Sequence, residues 1–531
     1  MGTAGGRTTT RAAAALLLGV LAGPRAAAAP PPDPAALLRK AASAAPEERR
    51  AALEGARALA TTEALDVVVA AAGVARRARD AAAARLARDG DALGKVYDER
   101  ARVETAFARR RAPDAAAAER HRQRLDELRD RADVLEVATA EASGDVAAAE
   151  EELDLARRAA AGILARLPAE TLGAGLDRLA AAWARAPGLA SDDRIRFVEA
   201  IERVKGPVAG ARLAALVADP AADPRLRAVA LDARAARRDD GVLGEALAAV
   251  ADPSWVMRAA AIDVLRTLHE PAAVPVLIAL LAEDGLGRLR EDACRALRSL
   301  TGEPHGPYHQ PWADWWDGAR PTFEPPRRPA PLAALVAPPT GVTFYGISTF
   351  SERVILVLDV SGSMAEQGTA PGRPRGERKI DAARRELAAA LDGLDPVRAR
   401  FGVVLFDRGV RRFGPGLVRA DLASRGAART WVAAHEPAGE TNLFDALREA
   451  FRLAGGLDGP LPPAGGADTV FLLTDGKPTA GGVVATDRIV DAVVRWNRAA
   501  RVTVHCVGVG THDAGLLQAI SSLTGGRYVR R

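Results

Sequence analysis

Cysteine is nearly absent. Cys294 and Cys506 are the two in 531 residues and stand in segments of different pattern, so no disulfide framework is written into the chain and neither redox compartment is indicated. Both are expected to be small buried hydrophobes. Lysine is scarce too: Lys40, Lys95, Lys205, Lys379 and Lys477 are five among 73 basic residues. This arginine bias matches a GC-rich bacterial genome and accompanies an isoelectric point of about 9.5. An excess of one charge is also missing. The 73 basic residues face 68 acidic ones for a formal charge of +5, mixed throughout with no stripe that tracks a phosphate backbone, which argues against a nucleic-acid partner. The seven histidines are scattered without HExxH or paired metal-ligand spacing. No Walker loop, dinucleotide fingerprint or nucleophile elbow occurs, so the chain reads as a non-enzyme. Beyond the N-terminus no run approaches the ~20 apolar residues that cross a bilayer, so no transmembrane segment is expected in the mature chain.

What is present is a chain long enough for several structural units, 48% hydrophobic and 27% charged. Residues 1–28 carry Arg7 and Arg11, an apolar core over 12–22 and small residues Ala26 to Ala29, the layout of a secretory signal peptide. This predicts an exported protein: periplasmic, cell-surface or secreted. Residues 29–34 are a Pro-rich linker. Residues 35–167 have the Ala/Arg/Glu/Leu composition of long helices, with Leu125, Leu128, Ala132 and Leu135 on one edge and a break at Pro113-Asp114, where Asp114 is a cap candidate. The pattern predicts a helical hairpin or coiled-coil-like stalk. Over residues 168–301 the triplet Ala218-Asp219-Pro220 recurs as Ala251-Asp252-Pro253, and Ala282-Glu283-Asp284 follows at similar spacing. Each lies between two apolar-faced helices; Arg258, Ala261 and Leu265 align with Arg290, Ala293 and Leu297. A two-helix unit of this period predicts an α-solenoid, similar to HEAT-type repeats, whose neighbours stack to bury faces that one pair cannot cover. Residues 302–341 are a Pro/Trp-rich linker in which Trp312, Trp315 and Trp316 are expected to pack on the last repeat.

From 342 to 531 the pattern alternates. Buried strands are predicted over 353–359, 400–406, 468–474 and 501–509, with helices over 380–394, 441–454, 486–499 and 513–523 and a short strand at 527–529. Repeated βα units imply a parallel sheet covered on both sides, a doubly wound, Rossmann-like α/β domain. Ligands in such sheets bind beyond the carboxyl ends of the strands. There the sequence places Asp359-Val360-Ser361-Gly362-Ser363 after the first strand, Thr441 at a helix start, and Asp475-Gly476 after the strand that ends at Thr474. Two carboxylates and three hydroxyls suit Mg²⁺, a hard ion that takes oxygen ligands in near-octahedral geometry; Mn²⁺ or Ca²⁺ would also be accepted.

These three elements, in this order, resemble the metal-ion-dependent adhesion site (MIDAS) of von Willebrand factor type A (VWA) domains. Asp359 to Ser363 looks like the family's DxSxS, Thr441-Asn442 its threonine loop and Thr474-Asp475-Gly476 its aspartate loop. The resemblance implies direct coordination by Ser361, Ser363 and Thr441, with Asp359 and Asp475 acting largely through water. The ion would seek an Asp or Glu of a protein partner, so the domain is expected to be a protein-binding module. Beside it, the polar loop that carries Arg373, Arg375, Arg378 and Lys379, together with Glu440, is a candidate partner-binding rim that screens for acidic partners. The solenoid offers room for a second partner. The competing expectation is a cytoplasmic adaptor that couples an AAA+ ATPase to its substrate, which an uncleaved N-terminus would favour.

Overall fold

The computed structural model describes residues 32–108, 114–184, 191–326, 342–368, 376–457 and 466–531. The leader, and Arg373 and Arg375 of the expected rim, lie outside these residues.

The N-terminal region is helical. Helices α1 (Pro34–Ala41) and α2 (Pro46–Arg57) lead into two long ones, α3 (Ala64–Ala108) and α4 (Ala115–Leu164). Asp114 caps α4, its carboxylate accepting the amide of Ala117 at 2.6 Å. The two long helices lie along each other: Tyr97 bonds Glu136, and Arg85 pairs with Asp145 at 2.7 Å. Their apolar seam is thin, built from Leu93, Val96, Tyr97, Leu128 and Ala132 at the outer end. Near the base it merges with a far larger core.

That core is continuous from Leu37 to Trp312. It takes in α5 (Ala169–Ala184), α6 (Ser191–Glu202) and the pairs α7 (Pro207–Ala218) with α8 (Pro224–Arg237), α9 (Val242–Ala249) with α10 (Trp255–Leu268), and α11 (Ala273–Leu280) with α12 (Leu289–Thr301). The second helices stack in series, α8 against α6 and α10, and α10 against α12, so each pair covers its neighbour. The proline that opens α8 is Pro224, with Asp223 as its cap, while Asp219 ends α7. The expected Pro/Trp linker contains α13 (His309–Ala319). Fully buried Trp312 donates its indole N–H to the Gly306 carbonyl at 2.8 Å and inserts into the helical core. Among the described residues no helix is long and apolar enough to cross a membrane.

The C-terminal region opens with a hairpin, β1 (Val342–Phe344) and β2 (Ile347–Thr349). The main sheet follows as β3 (Arg353–Asp359), β4 (Arg400–Phe406), β5 (Val410–Arg412), β6 (Val418–Arg419), β7 (Thr469–Thr474), β8 (Thr503–Gly508) and β9 (Tyr528–Arg530), ordered β5-β4-β3-β7-β8-β9. Its centre is parallel; β5 and β6 pair antiparallel with β4 at one edge. Because side chains alternate along a strand, Val354, Leu356 and Leu358 face one layer, α14 (Lys379–Asp392) and α15 (Leu422–Ala433). Ile355 and Val357 face the other, α16 (Leu443–Leu453), α17 (Thr486–Ala500) and α18 (Ala514–Leu523).

The helical region clasps this domain on two sides. At the base of the sheet, the fully buried Arg225 of α8 donates to the Gly455 carbonyl at 2.6 Å, Arg288 to the Asp468 carbonyl at 3.1 Å, and Asp232 pairs with Arg501. Along one flank α4 lies against α16 and α17: Ser143 bonds Asp445, Glu151 pairs with Arg488, and Ala147 joins the core of that layer.

Candidate metal centre

The two central strands carry carboxylates at their carboxyl ends, Asp359 as the last paired residue of β3 and Asp475 directly after β7. Asp359, at the end of β3, is fully buried. One of its oxygens accepts the Ser361 amide at 2.8 Å and the other the Thr474 hydroxyl at 2.5 Å. Burial, with the charge of nearby Asp475 adding to it, pushes the Asp359 carboxyl up to about 6.

The chain then turns through a short 3₁₀ segment, Gly362–Ala365, that brings both serines to one side. The Ser361 and Ser363 hydroxyls lie 3.3 Å apart, and Ser363 donates to Asp475 Oδ1 at 2.7 Å. Thr441 is drawn in from the far side. Its amide donates to the Thr479 hydroxyl at 2.9 Å, and its carbonyl accepts the amides of Thr479 and Ala480. The Gly362 amide donates to the Gly439 carbonyl at 3.0 Å, tying the first loop to the second. At Gly476 a Cβ would stand 3.0 Å from the Thr441 hydroxyl, so glycine keeps that oxygen clear. The structure therefore brings Asp359, Ser361, Ser363, Thr441 and Asp475 together at one sheet edge.

The rim residues divide. Arg378 is engaged on the surface by Asp381 at 2.8 Å and Glu436 at 2.9 Å. Glu440 is half-exposed and pairs with Arg408 at 3.5 Å, which also reaches Glu136 of α4. Lys379 is not on the rim. It opens α14 with its side chain buried, and its ammonium lies 2.7 Å from Asp475 Oδ2, 2.8 Å from Glu366 Oε2 and 3.3 Å from the Ser363 carbonyl. Burial by itself would lower the Lys379 pKa, but the hydrogen bonds to Asp475 and Glu366 outweigh it and hold the ammonium above its ordinary value. The loop charge pattern suggested an exposed group; the attraction of the ammonium to the buried Asp475 carboxylate turned it inward.

Sequence reasoning placed Thr474 in the aspartate loop without a role, whereas its hydroxyl fixes Asp359, and it missed the link from the threonine loop to α4. Asn442 donates to Asp445 at 2.8 Å, and Asp445 bonds Ser143 of α4, 302 residues earlier. No local motif signals such a contact. Among the described residues no group of three or more His, Cys, Asp or Glu side chains gathers to hold a metal ion. The donor set at this edge is instead two carboxylates and three hydroxyls, all oxygen, with a lysine ammonium already drawn to one carboxylate. That set fits a hard cation.

The comparisons identify the domain that carries this edge. A family model described as von Willebrand factor type A domain matches residues 352–530. The human inter-alpha-trypsin inhibitor heavy chain H4 is 32% identical over 169 residues, which is 31% of this chain and 16% of that protein. The pig heavy chain H1 is 32% identical over 143 residues, 27% of this chain and 14% of that protein. The similarity thus spans less than a fifth of either relative. A solved von Willebrand factor type A structure from Catenulispora acidiphila is 28% identical, covering 35% of this chain and 39% of that one, with a TM-score of 0.28. Residues 352–530, the sheet and the loops at its carboxyl edge, are a von Willebrand factor type A domain set behind a helical N-terminal region.

Proposed function

We propose that this protein is an exported, metal-dependent protein-binding protein. The VWA domain supports a role in protein interaction, and the curated relatives are named as heavy chains of an inhibitor. The proposal goes further. Asp359, Ser361, Ser363, Thr441 and Asp475 hold a divalent cation, Mg²⁺ in the first instance, and the cation captures a carboxylate of a partner. The observation that carries it is the convergence of these side chains from three distant loops, with the Thr441 hydroxyl kept clear by Gly476.

The bound ion would supply a strong local positive charge. The chain's own part is to limit how far that charge is neutralised. Two of the five expected ligands are carboxylates, and Asp475 is already hydrogen-bonded by Ser363 and Lys379. An incompletely neutralised cation at a protein edge attracts a further anionic oxygen, which is the basis of capture. The stalk lies against the threonine loop through Ser143 and Asp445, so a docked partner would meet helical surface beside the metal. Export rests on the N-terminal pattern of a basic start, an apolar core and small residues.

Calorimetric titration of the chelator-stripped full chain with Mg²⁺ and with Mn²⁺ tests the centre. One site is expected per chain, lost in Asp359→Ala and in Ser363→Ala. No binding of either ion at millimolar concentration, by the parent or by a variant that removes the neighbouring Lys379 ammonium, would dismiss it. Mass measurement of the mature N-terminus tests export: a chain that retains Met1 to Ala28 in the cell would refute it.

A further inference from the structure

We infer that Lys379 is a built-in counter-cation of this centre: its ammonium neutralises Asp475 while no metal is bound, and a divalent ion enters by taking Asp475 from it. The inference rests on the metal reading above.

A buried ammonium needs partners for all three of its protons, and Lys379 has three acceptors: Asp475 Oδ2 at 2.7 Å, Glu366 Oε2 at 2.8 Å and the Ser363 carbonyl at 3.3 Å. Two of these belong to residues of the site. The other oxygen of Asp475 accepts the Ser363 hydroxyl at 2.7 Å, so both carboxylate oxygens are engaged. The Asp475 side chain is fully buried, with the equally buried Asp359 nearby. Two carboxylates desolvated together are unfavourable unless a cation compensates them. In the metal-free chain that cation is Lys379.

The seat is shaped for it. Gly510, with φ +59°, follows β8 against the Lys379 methylenes, and a Cβ there would come within 3.3 Å of Lys379 Cε. The residue type is itself informative in a chain where five of 73 basic residues are lysine. A compact ammonium fits a narrow cradle between Asp475 and Ser363, where a planar guanidinium would need more room.

Glu366 supplies the other half of the device. Its side chain is 69% exposed, while its carboxylate lies 2.8 Å from the same ammonium. When an entering ion draws Asp475 away, Lys379 keeps an anionic partner without leaving its seat. Two cations thus compete for one carboxylate, and the balance sets how much free metal the site requires.

The experiment is a Mg²⁺ titration by calorimetry on the chelator-stripped full chain and its variants. Lys379→Met is expected to bind Mg²⁺ at least tenfold more tightly, and its metal-free form to melt lower. Glu366→Gln, at an exposed position, is expected to bind several-fold more weakly, because it leaves Lys379 committed to Asp475. Lys379→Gln keeps a hydrogen-bond donor without the charge, and serves should the methionine variant fail to fold. A lysine that is only structural would not give opposite signs at residues 379 and 366. Equal or weaker binding by the Lys379 variants, in a chain that does bind Mg²⁺, overturns the inference and leaves the metal centre standing. Absence of binding in the parent with recovery in Lys379→Met supports it. Absence of binding in every variant removes the metal reading and this inference with it.

Discussion

Gly482 and Gly144 face each other where the stalk meets the VWA domain, and alanine at the two positions should have opposite effects. A Cβ on Gly482 would stand 2.5 Å from the Gly144 amide nitrogen, 2.9 Å from the Ser143 carbonyl carbon and 3.0 Å from the Ala140 carbonyl oxygen. All three are backbone atoms of α4, so no side chain can swing aside. Ordinary contact for a Cβ begins at 3.4 Å, so the helix must retreat by 3.4 − 2.5, about 0.9 Å. That retreat strains the Ser143–Asp445 bond, the Glu151–Arg488 pair and the packing of Ala147 in the sheet's core. Overpacking of this kind costs about 1–3 kcal/mol, and two facing backbones put Gly482→Ala in the upper half of that range. For a cooperative unit of about 200 residues this corresponds to a fall in Tm of roughly 5–10 °C. Gly144→Ala places its Cβ 3.7 Å from the Gly482 carbonyl oxygen, an ordinary contact, and removes a glycine from a helix interior. It should be neutral or stabilising by up to about 1 kcal/mol. Differential scanning calorimetry of both variants decides the matter. A Gly482→Ala protein that melts within about 1 °C of the parent, or equal losses in both, would refute the close backbone approach.

Gly476→Ala should leave the melting temperature of the metal-free protein within about 2 °C of the parent yet abolish the Mg²⁺-induced rise, since its Cβ would crowd the Thr441 hydroxyl at 3.0 Å; an undiminished rise would refute the assignment of Thr441. Arg225→Ala removes a fully buried cation that donates to the Gly455 carbonyl and pairs with Asp223 at 2.7 Å, and should destabilise the junction of helical region and sheet by about 3–5 kcal/mol in urea unfolding; a loss below about 1 kcal/mol would show the contact to be incidental. Burial lowers His505 to about 3, so the unfolded chain binds a proton that the folded chain refuses. Its contribution is intact above the unfolded value of about 6.5 and is lost as pH falls toward 3, roughly 3 kcal/mol by pH 4. His505→Gln should flatten stability against pH between 4 and 6.5 relative to the parent, and an unchanged slope would contradict the burial of a neutral imidazole.

Much of the fold is legible in the order of residues. The runs at 353–359 and 400–406 match β3 and β4 residue for residue, because strands buried on both faces read as unbroken apolar stretches. Asp114 caps α4 as its place after Pro113 suggested. The alternation of strands and helices was sufficient to place Asp359, Ser361, Ser363, Thr441 and Asp475 at strand ends and a helix start on one side of a parallel sheet. Less was readable where signals are short or mixed: β5 and β6 are brief edge strands, and α15 begins at the exposed Leu422 without a strong stripe.

By itself, then, the sequence determined what depends on neighbours along the chain: helices with one apolar edge, buried strands, caps, and loops whose oxygen-bearing side chains have no other use. Only the tertiary structure decided what depends on distant partners. It turned Lys379 from an expected rim cation into a buried partner of Asp475, and set Ser143 of the stalk against Asp445 beside the threonine loop. It also joined the helical region to the VWA domain through Arg225, Asp232 and Arg288. The physical reason is the same in each case. A charge or a small residue carries no record in one chain of the group that will neutralise it or pack against it, and that pairing exists only once folding removes both from water.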